Sequence, residues 1–212
     1  MRCNAVWISL IIVVISIPAY AQSSVPADSM NGLQITFSIT RDKLWQINDD
    51  FWHAGEFERC IATMRLITQI DPHDTQAYSD GAWLMQNQLR DDEAEVFLLE
   101  GLADNGDIYD LYFEVGYYYY THERFNEAVD YLIAASTFDA PMPVWHTLAH
   151  AYESAGYAES ALGVWALRSA VDPENPVPQM QIERILSGGP ASDIPRFLSQ
   201  ARQERKARAG IK

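Results

Sequence analysis

Cysteine is scarce in this chain, with only Cys3 and Cys60 in 212 residues. Two thiols cannot build a disulfide framework or a four-ligand zinc site. Basic residues are also few, with 15 Lys and Arg against 29 Asp and Glu and a formal net charge of -14. This balance excludes electrostatic binding of nucleic acid or anionic lipid, because both kinds of binding need clustered basic side chains.

The chain also lacks an apolar run long enough to span a bilayer. Its longest run, residues 6–17, falls well short of the roughly 20 residues that a membrane-spanning helix needs. Arg2 precedes the run, and Ala19 and Ala21 follow it as a small-x-small exit, which is typical of a secretory signal peptide. We therefore expect residues 1–21 to be a cleaved signal peptide, with an uncleaved anchor as the alternative, and the mature chain to be exported to the periplasm.

The remaining composition allows a well-packed domain, since 48% of the residues are hydrophobic and 21% are charged. Residues 22–40 begin with a stretch rich in Ser, Pro, Asp, Asn and Gly, which predicts a flexible segment. Within it, Ile35, Phe37 and Ile39 alternate with polar residues and indicate either a short strand or a lead-in to a helix.

A period of about 34 residues is the strongest pattern in the sequence. A small residue after a polar pair recurs at intervals of 34, 34 and 33 residues, and three columns of larger apolar residues keep the same spacing. The four columns are Cys60, Ala94, Ala128 and Ala161; Phe51, Met85, Tyr119 and Tyr152; Leu44, Tyr78, Tyr112 and Trp145; and Met64, Leu98, Leu132 and Trp165.

Each unit contains two stretches with helical spacing of apolar residues. In the third unit, Tyr112, Val115 and Tyr119 lie at i, i+3 and i+7, and a second stripe follows after a polar break. Gly55 and Gly156 mark two of the breaks, where a residue that tolerates positive φ suits a tight turn. Each unit is therefore predicted to be two helices joined by a short turn.

These features resemble the tetratricopeptide repeat family over residues 41–174. The resemblance implies an all-α fold, a right-handed solenoid of stacked helix-turn-helix repeats, with the first helix of each repeat lining a concave surface. Three segments carry the family's aromatic, small-residue and Asp-Pro pattern: FWHAGEFERCIATMRLITQIDP, YYYTHERFNEAVDYLIAAS and AYESAGYAESALGVWALRSAVDP.

The period divides the chain into predicted segments. A degenerate capping repeat is expected at 175–201. Residues 202–212 are expected to form a basic tail that either frays in solvent or docks, on the acidic array or on an anionic surface. The four repeats are expected at about 41–74, 75–108, 109–141 and 142–174.

The resemblance places twelve side chains on the concave surface. Six are large aromatics, where an ordinary solvated face would carry Lys, Glu and Gln, so we expect either a binding groove or packing between repeats. None is basic, which argues against an acidic ligand and favours an apolar, proline-rich or basic protein segment. The twelve are Trp45, Asp49, Trp52, Ser79, Trp83, Gln86, Phe113, Tyr117, Tyr120, His146, His150 and Glu153.

A catalytic interpretation of the sequence rests on His146, His150 and Glu153 alone. Spaced at i, i+4 and i+7, they suit an open zinc site, but the run lacks the Glu that follows the first His in zinc peptidases. No Gly-rich phosphate loop or nucleophile elbow is present, and no cofactor is predicted. We therefore expect a non-catalytic protein-binding scaffold of the bacterial envelope, with a glycan-binding protein and a metal-dependent enzyme as alternatives.

Overall fold

A computed structural model describes the backbone of residues 27–211 and the side chains from residue 31 onward. The predicted signal peptide, residues 1–21, lies outside these residues. Between residues 27 and 211 all regular structure is helical. The helices are α1 (Ala27–Ala54), α2 (Phe57–Ile70), α3 (Thr75–Asn87), α4 (Asp91–Asp104), α5 (Tyr109–Thr121), α6 (Phe125–Ser136), α7 (Met142–Ser154), α8 (Ala158–Val171), α9 (Pro176–Leu186) and α10 (Ile194–Ala209).

The first nine helices form a continuous stack. Helices α1 and α2, α3 and α4, α5 and α6, and α7 and α8 pack as pairs, and each pair contacts the next along the chain. Neighbouring pairs cover one another's apolar faces, which no pair can bury alone. The predicted all-α class, a stack of helix-turn-helix units, is confirmed. The repeat boundaries proposed from the sequence stay a prediction.

A residue with positive φ closes the turn inside each of the four pairs. Gly55 and Gly156 adopt φ values of 72° and 87°, as the tight-turn argument predicts. The same conformation occurs at Leu89 and Glu123, with φ values of 62° and 60°, although a side chain makes it costly there. These four positions keep the period of the sequence, so the backbone geometry of the turn is repeated even where glycine is absent.

Close helix packing explains the column of small residues. Cys60, Ala94, Ala128 and Ala161 are all fully buried, where facing helices leave no room for a larger side chain. Burial also raises the pKa of the Cys60 thiol, so its reactive thiolate form is disfavoured. Cys60 therefore acts as a small packing residue.

Helix α1 corrects the expectation of a flexible segment over residues 22–40. Residues 27–40 are helical and continue, without a break, the part of α1 that packs on α2. The side chains of residues 31–40 are exposed, so packing does not stabilise this half of the helix. Its helical conformation continues from the packed half, because adding a turn to an existing helix costs less than starting a new one. Ile35, Phe37 and Ile39 are thus part of a helix and not of a strand. No helix in the described part of the chain is long and apolar enough to cross a membrane.

The end of the chain differs from the predicted cap at 175–201. Helix α9 packs on α8 as expected, but α10 begins within the predicted cap, runs through the basic tail and packs on α5 instead of pairing with α9. The connection from α9 to α10 has seven residues, 187–193, whereas the turns inside the four pairs have two or three. The longer connection lets α10 leave the stack, and Phe197 remains 67% exposed as a result.

Arg184 fixes the path of the chain from α9 to α10. Its guanidinium donates to both carboxylate oxygens of Glu153 at 2.7 and 2.6 Å and also to the carbonyl oxygens of Gly189 and Pro190. One side chain thereby ties α9, α7 and the α9–α10 connection together.

Candidate functional site

The strongest candidate site is a groove along the first helix of each successive pair, from α1 through α3 and α5 to the start of α7. Its first part is a cavity of about 430 Å³ between α1 and α3. The indole rings of Trp52 and Trp83 face each other there with centroids 5.8 Å apart, and 41% and 53% of these residues remain exposed. The lining residues are Trp45, Asn48, Asp49, Trp52, Met64, Asp80, Trp83 and Leu84.

A second cavity, of about 400 Å³, continues the first across α3 and α5 to the start of α7. Trp83 and Asp80 line both cavities, so the two form one surface, which we call the groove. Ser79 and Phe113 of the predicted surface lie here, and Phe113 is half-buried. The lining residues are Thr75, Gln76, Ser79, Asp80, Trp83, Tyr109, Asp110, Phe113, Glu114, Pro141, Pro143 and Val144.

The groove carries four carboxylates, those of Asp49, Asp80, Asp110 and Glu114. Among the described residues none of the four pairs with Lys or Arg; Asp49 meets only the exposed His53 at 3.6 Å, and Asp80 accepts from Gln76. Burial raises the pKa of Glu114, and the negative charges of Asp80 and Asp110 raise it further. A cation bound in the groove would relieve this repulsion.

Two side chains of α1 shape the first cavity. The indole N–H of Trp45 donates to Asp74 at 2.8 Å, which fixes a half-buried ring against the start of α3. Asn48 is buried, and its Oδ1 has no hydrogen-bond partner in the described part of the chain. A buried amide oxygen gains from accepting an N–H, so Asn48 Oδ1 is an unsatisfied acceptor in the wall of the first cavity.

Tyr117 and Gln86 line a smaller neighbouring cavity of about 230 Å³, whose other wall is α10. Tyr117 is exposed, and its ring lies 6.0 Å from that of Phe113. Trp83 lines this cavity as well. The groove therefore extends toward α10, which closes that end of it.

The structure corrects the placement of Tyr120. It was expected beside Tyr117 on the groove surface, but only 4% of it is exposed. Ser154 at the end of α7 and Ser192 before α10 lie near its hydroxyl, and burial raises its pKa. The ring of Tyr120 therefore packs toward the next pair of helices and does not line the groove.

His146, His150 and Glu153 are partly buried and line neither cavity of the groove. The two imidazoles pack on the buried ring of Trp165, with centroid distances of 4.9 and 5.2 Å, and Glu153 is bound by Arg184. Within residues 31–211 no three His, Cys, Asp or Glu side chains are placed to hold a metal ion. Glu153, the third ligand in the metal-dependent alternative, is instead engaged in a salt bridge with Arg184.

The two histidines predict a pH dependence of stability. Burial lowers the pKa of both, and the positive charge of Arg168 lowers that of His146 further. At His150 the negative charge of Glu153 opposes the effect of burial, whereas Arg184 adds to it, and the pKa remains lowered. The unfolded chain therefore takes up protons more readily below about pH 6.5, so stability is full above that pH and falls as the pH drops through the folded-state values.

We expect the urea midpoint, followed by circular dichroism, to fall between about pH 7 and pH 5 for this reason. Replacing both imidazoles, as His146→Gln and His150→Gln, should flatten that decline whatever it does to stability at pH 7. An equally steep decline in the double variant would show that other groups cause it.

Among the polar groove residues that sequence reasoning missed, Asn48, Asp80, Asp110 and Glu114 matter most for the chemistry of the site. Each lies three or four residues from a predicted groove aromatic, so each shares its helix face. This spacing from Trp45, Trp83, Phe113 and Tyr117 was the available signal. Acidic residues are common on solvated helix surfaces, and spacing alone does not separate groove carboxylates from those.

No model of a known protein family matches the chain, and no curated protein matches it. Solved structures do. That of a thermophilic TPR protein from Thermus thermophilus aligns with 69% of this chain and 81% of its own, with a TM-score of 0.53 and 16% identity. The chain has the tetratricopeptide-repeat fold.

Two further solved structures share this TPR fold with the chain. PilF from Pseudomonas aeruginosa has a TM-score of 0.55 at 17% identity, and the alignment covers 82% of this chain and 93% of PilF. MamA from Desulfovibrio magneticus has a TM-score of 0.56 at 12% identity, with 79% and 92% covered. At these identities the likeness establishes the TPR architecture, and the groove residues have to be judged on their own chemistry.

Proposed function

We propose that this TPR array is a non-catalytic protein–protein interaction module of the bacterial cell envelope. Its groove binds a basic partner segment that also carries aromatic or proline residues. The observation that supports this most is the exposed pair of indoles, Trp52 and Trp83, beside carboxylates without basic partners among the described residues. The envelope location rests on the signal-peptide pattern of residues 1–21.

The indoles supply the apolar part of recognition. Exposed aromatic side chains in a concavity bury a large area on binding, and such residues are enriched among those that dominate interface energies. Trp83 is central, because it lines both cavities of the groove and the smaller cavity beside α10. A flat ring of the partner, or a proline, can stack on the exposed surface of Trp83, which is 53% exposed.

The carboxylates supply the charge selectivity. Burial and the negative charges of Asp80 and Asp110 raise the pKa of Glu114, so a Lys or Arg of the partner would restore a favourable balance of charge. An acidic segment would add to the repulsion and is disfavoured. The net charge of -14 also speeds the approach of basic segments at low salt.

Two synthetic peptides of equal length test this proposal. One combines Arg, Trp and Pro, and its twin has every Arg replaced by Glu. The basic peptide should bind the full chain in fluorescence anisotropy, with an affinity that weakens as salt rises, and the acidic twin should not. Trp83→Ala should weaken binding at least about 10-fold, since a central aromatic anchor is worth about 2 kcal/mol or more.

Matched controls separate the groove from the rest of the surface. Tyr157 is an exposed aromatic residue on the turn before α8, away from the groove, so Tyr157→Ala should leave the affinity unchanged. Asp80→Asn should weaken binding and flatten the salt dependence, whereas Glu159→Gln should do neither. Equal binding of the two peptides, or equal effects of Trp83→Ala and Tyr157→Ala, would refute the proposal.

The glycan alternative rests on the same indoles, since sugar faces stack on tryptophan. Purified cell-wall polymer added to the anisotropy assay distinguishes the two, because it should not displace the basic peptide if the partner is a protein. A photo-cross-linking residue at position 83, with position 157 as the control, then identifies the bound chain in the intact envelope. A polymer adduct in place of a polypeptide would favour the glycan alternative.

A further inference from the structure

Helix α10 is held on the array by an ionic cluster around Asp91. The Asp91 carboxylate, at the start of α4, lies 3.3 Å from Nε of Arg202 and 2.7 Å from Nζ of Lys206. Nε2 of His122 lies 3.3 Å away on the third side, and its ring stacks on Tyr118 at 4.0 Å. Arg202 and Lys206 are four residues apart, so both reach Asp91 from one face of α10.

Asp91 and Arg202 of this cluster are shielded from solvent, and Lys206 is partly exposed. Only 7% of the Asp91 side chain is exposed, and 16% of that of Arg202. Burial alone would raise the pKa of Asp91, but His122, Lys206 and Arg202 together lower it to about 2. Partly buried charge pairs lose little to salt screening, so this contact is a specific attachment and not a chance surface pair.

The attachment places α10 against the end of the groove. Leu198 and Ala201 of α10 face Trp83 and Tyr117 across a cavity of about 230 Å³. Arg202 also donates to the carbonyl oxygen of Thr121 at 3.4 Å, and Arg205 donates to that of Asn87, at the C-terminal ends of α5 and α3. Cationic side chains at helix C-termini are favoured by the helix dipole.

In composition, α10 matches the segment that the groove should select. It is a helix of 16 residues in which the apolar Leu198 and Ala201 precede the basic Arg202 and Lys206, and the contacted surface is acidic and aromatic. Helix α10 does not act as the second helix of the predicted capping repeat, because it does not pair with α9. Met180 and Leu186 of α9 remain exposed as a result.

We propose that α10 is an internal ligand of the array and that the partner segment is a basic amphipathic helix that replaces it. This rests on the proposed function, because it names the class of segment that the same groove binds. Helix α10 thus covers the end of the groove beside Trp83 and Tyr117 in the free protein, and binding of the partner there requires release of Arg202 and Lys206 from Asp91.

A labelled peptide of residues 194–211 tests the inference against the full chain. In the wild-type protein the tethered helix competes at an effective concentration in the millimolar range, so the free peptide should bind weakly. The combined variant Arg202→Glu and Lys206→Glu places like charges against Asp91 and should release its own helix. We expect this variant to bind the peptide at least about 10-fold more tightly than the wild type does.

Arg196→Glu combined with Arg208→Glu is the matched control. It makes the same change in net charge on the same helix, but both residues are exposed and neither reaches Asp91. This control should bind the peptide as weakly as the wild type. Hydrogen exchange should show faster amide exchange over 194–209 in the released variant only, and circular dichroism should show that the array remains folded in both.

Asp91→Asn in the released variant should remove the gain in peptide binding. Equal binding to the wild type and the released variant, or binding to neither, would overturn the inference. The inference and the proposed function can fail separately. If the 194–211 peptide binds only the released variant, while the Arg, Trp and Pro peptide binds neither form, α10 is an internal ligand and the proposed external partner is wrong.

Discussion

Trp165→Ala is expected to lower the free energy of unfolding by about 3–5 kcal/mol, the range for removing a large buried aromatic side chain. Trp165 is fully buried in α8, and His146 and His150 of α7 pack on its ring. The truncation would leave a cavity between these helices, and the two imidazoles would lose their main contact. Urea unfolding followed by circular dichroism in the far ultraviolet measures the change without relying on tryptophan emission.

Two tryptophan variants make this result interpretable. Trp83→Ala should cost less than about 1 kcal/mol, because over half of Trp83 is exposed and little packing is lost. Trp165→Phe should also cost much less than the alanine change, since it keeps most of the ring and removes an indole N–H that has no partner in the described structure. Equal losses for Trp83→Ala and Trp165→Ala would contradict the division into groove and core tryptophans.

The period of the sequence made the stacked helix pairs predictable. The turns, the small-residue positions and the large core residues recur in several units. A weak pattern in one unit is therefore supported by the matching positions in the others. The positive φ at Leu89 and Glu123 shows the strength of this constraint. Neither residue type favours that conformation, and only their alignment with Gly55 and Gly156 indicates it.

The groove was only partly predictable because helix spacing fixes a face but not what covers it. Trp52 and Trp83 are exposed, whereas Tyr120, on a comparable stretch of α5, is buried, with Ser154 of α7 and Ser192 beside its hydroxyl. The histidines of α7 likewise turn toward Trp165 of the next helix. Which of the offset residues are covered depends on neighbours from other units, and local periodicity carries no information about them.

The position of α10 was beyond prediction by pattern. Its contacts with Asp91 and Asn87 join residues more than 100 positions apart, outside the repeat register. The sequence did indicate opposite charges on the tail and the array, and docking was one of two alternatives. The choice between them depends on the buried position of Asp91, which follows from the packing of α4, α5 and α10 together.

Gly116→Ala is expected to destabilise the protein by about 2 kcal/mol, although alanine is the better helix former by about 1 kcal/mol. A Cβ at position 116 would lie 2.7 Å from Cγ of Leu132 and 3.3 Å from its backbone nitrogen. Leu132 is fully buried in α6, so its side chain has no free space to enter and the two helices would have to separate.

Gly163→Ala is the matched control for this prediction. Gly163 lies within α8, and a Cβ there would meet no atom within 4 Å, so the substitution should stabilise the protein by about 0.5–1 kcal/mol through helix propensity alone. The two variants should thus differ in sign and by about 3 kcal/mol in urea unfolding. Combining Gly116→Ala with Leu132→Ala tests the cause, because a clash with Leu132 predicts a smaller loss than the sum of the two single changes. Strict additivity would mean that α5 and α6 approach each other less closely than the packing of Gly116 on Leu132 requires.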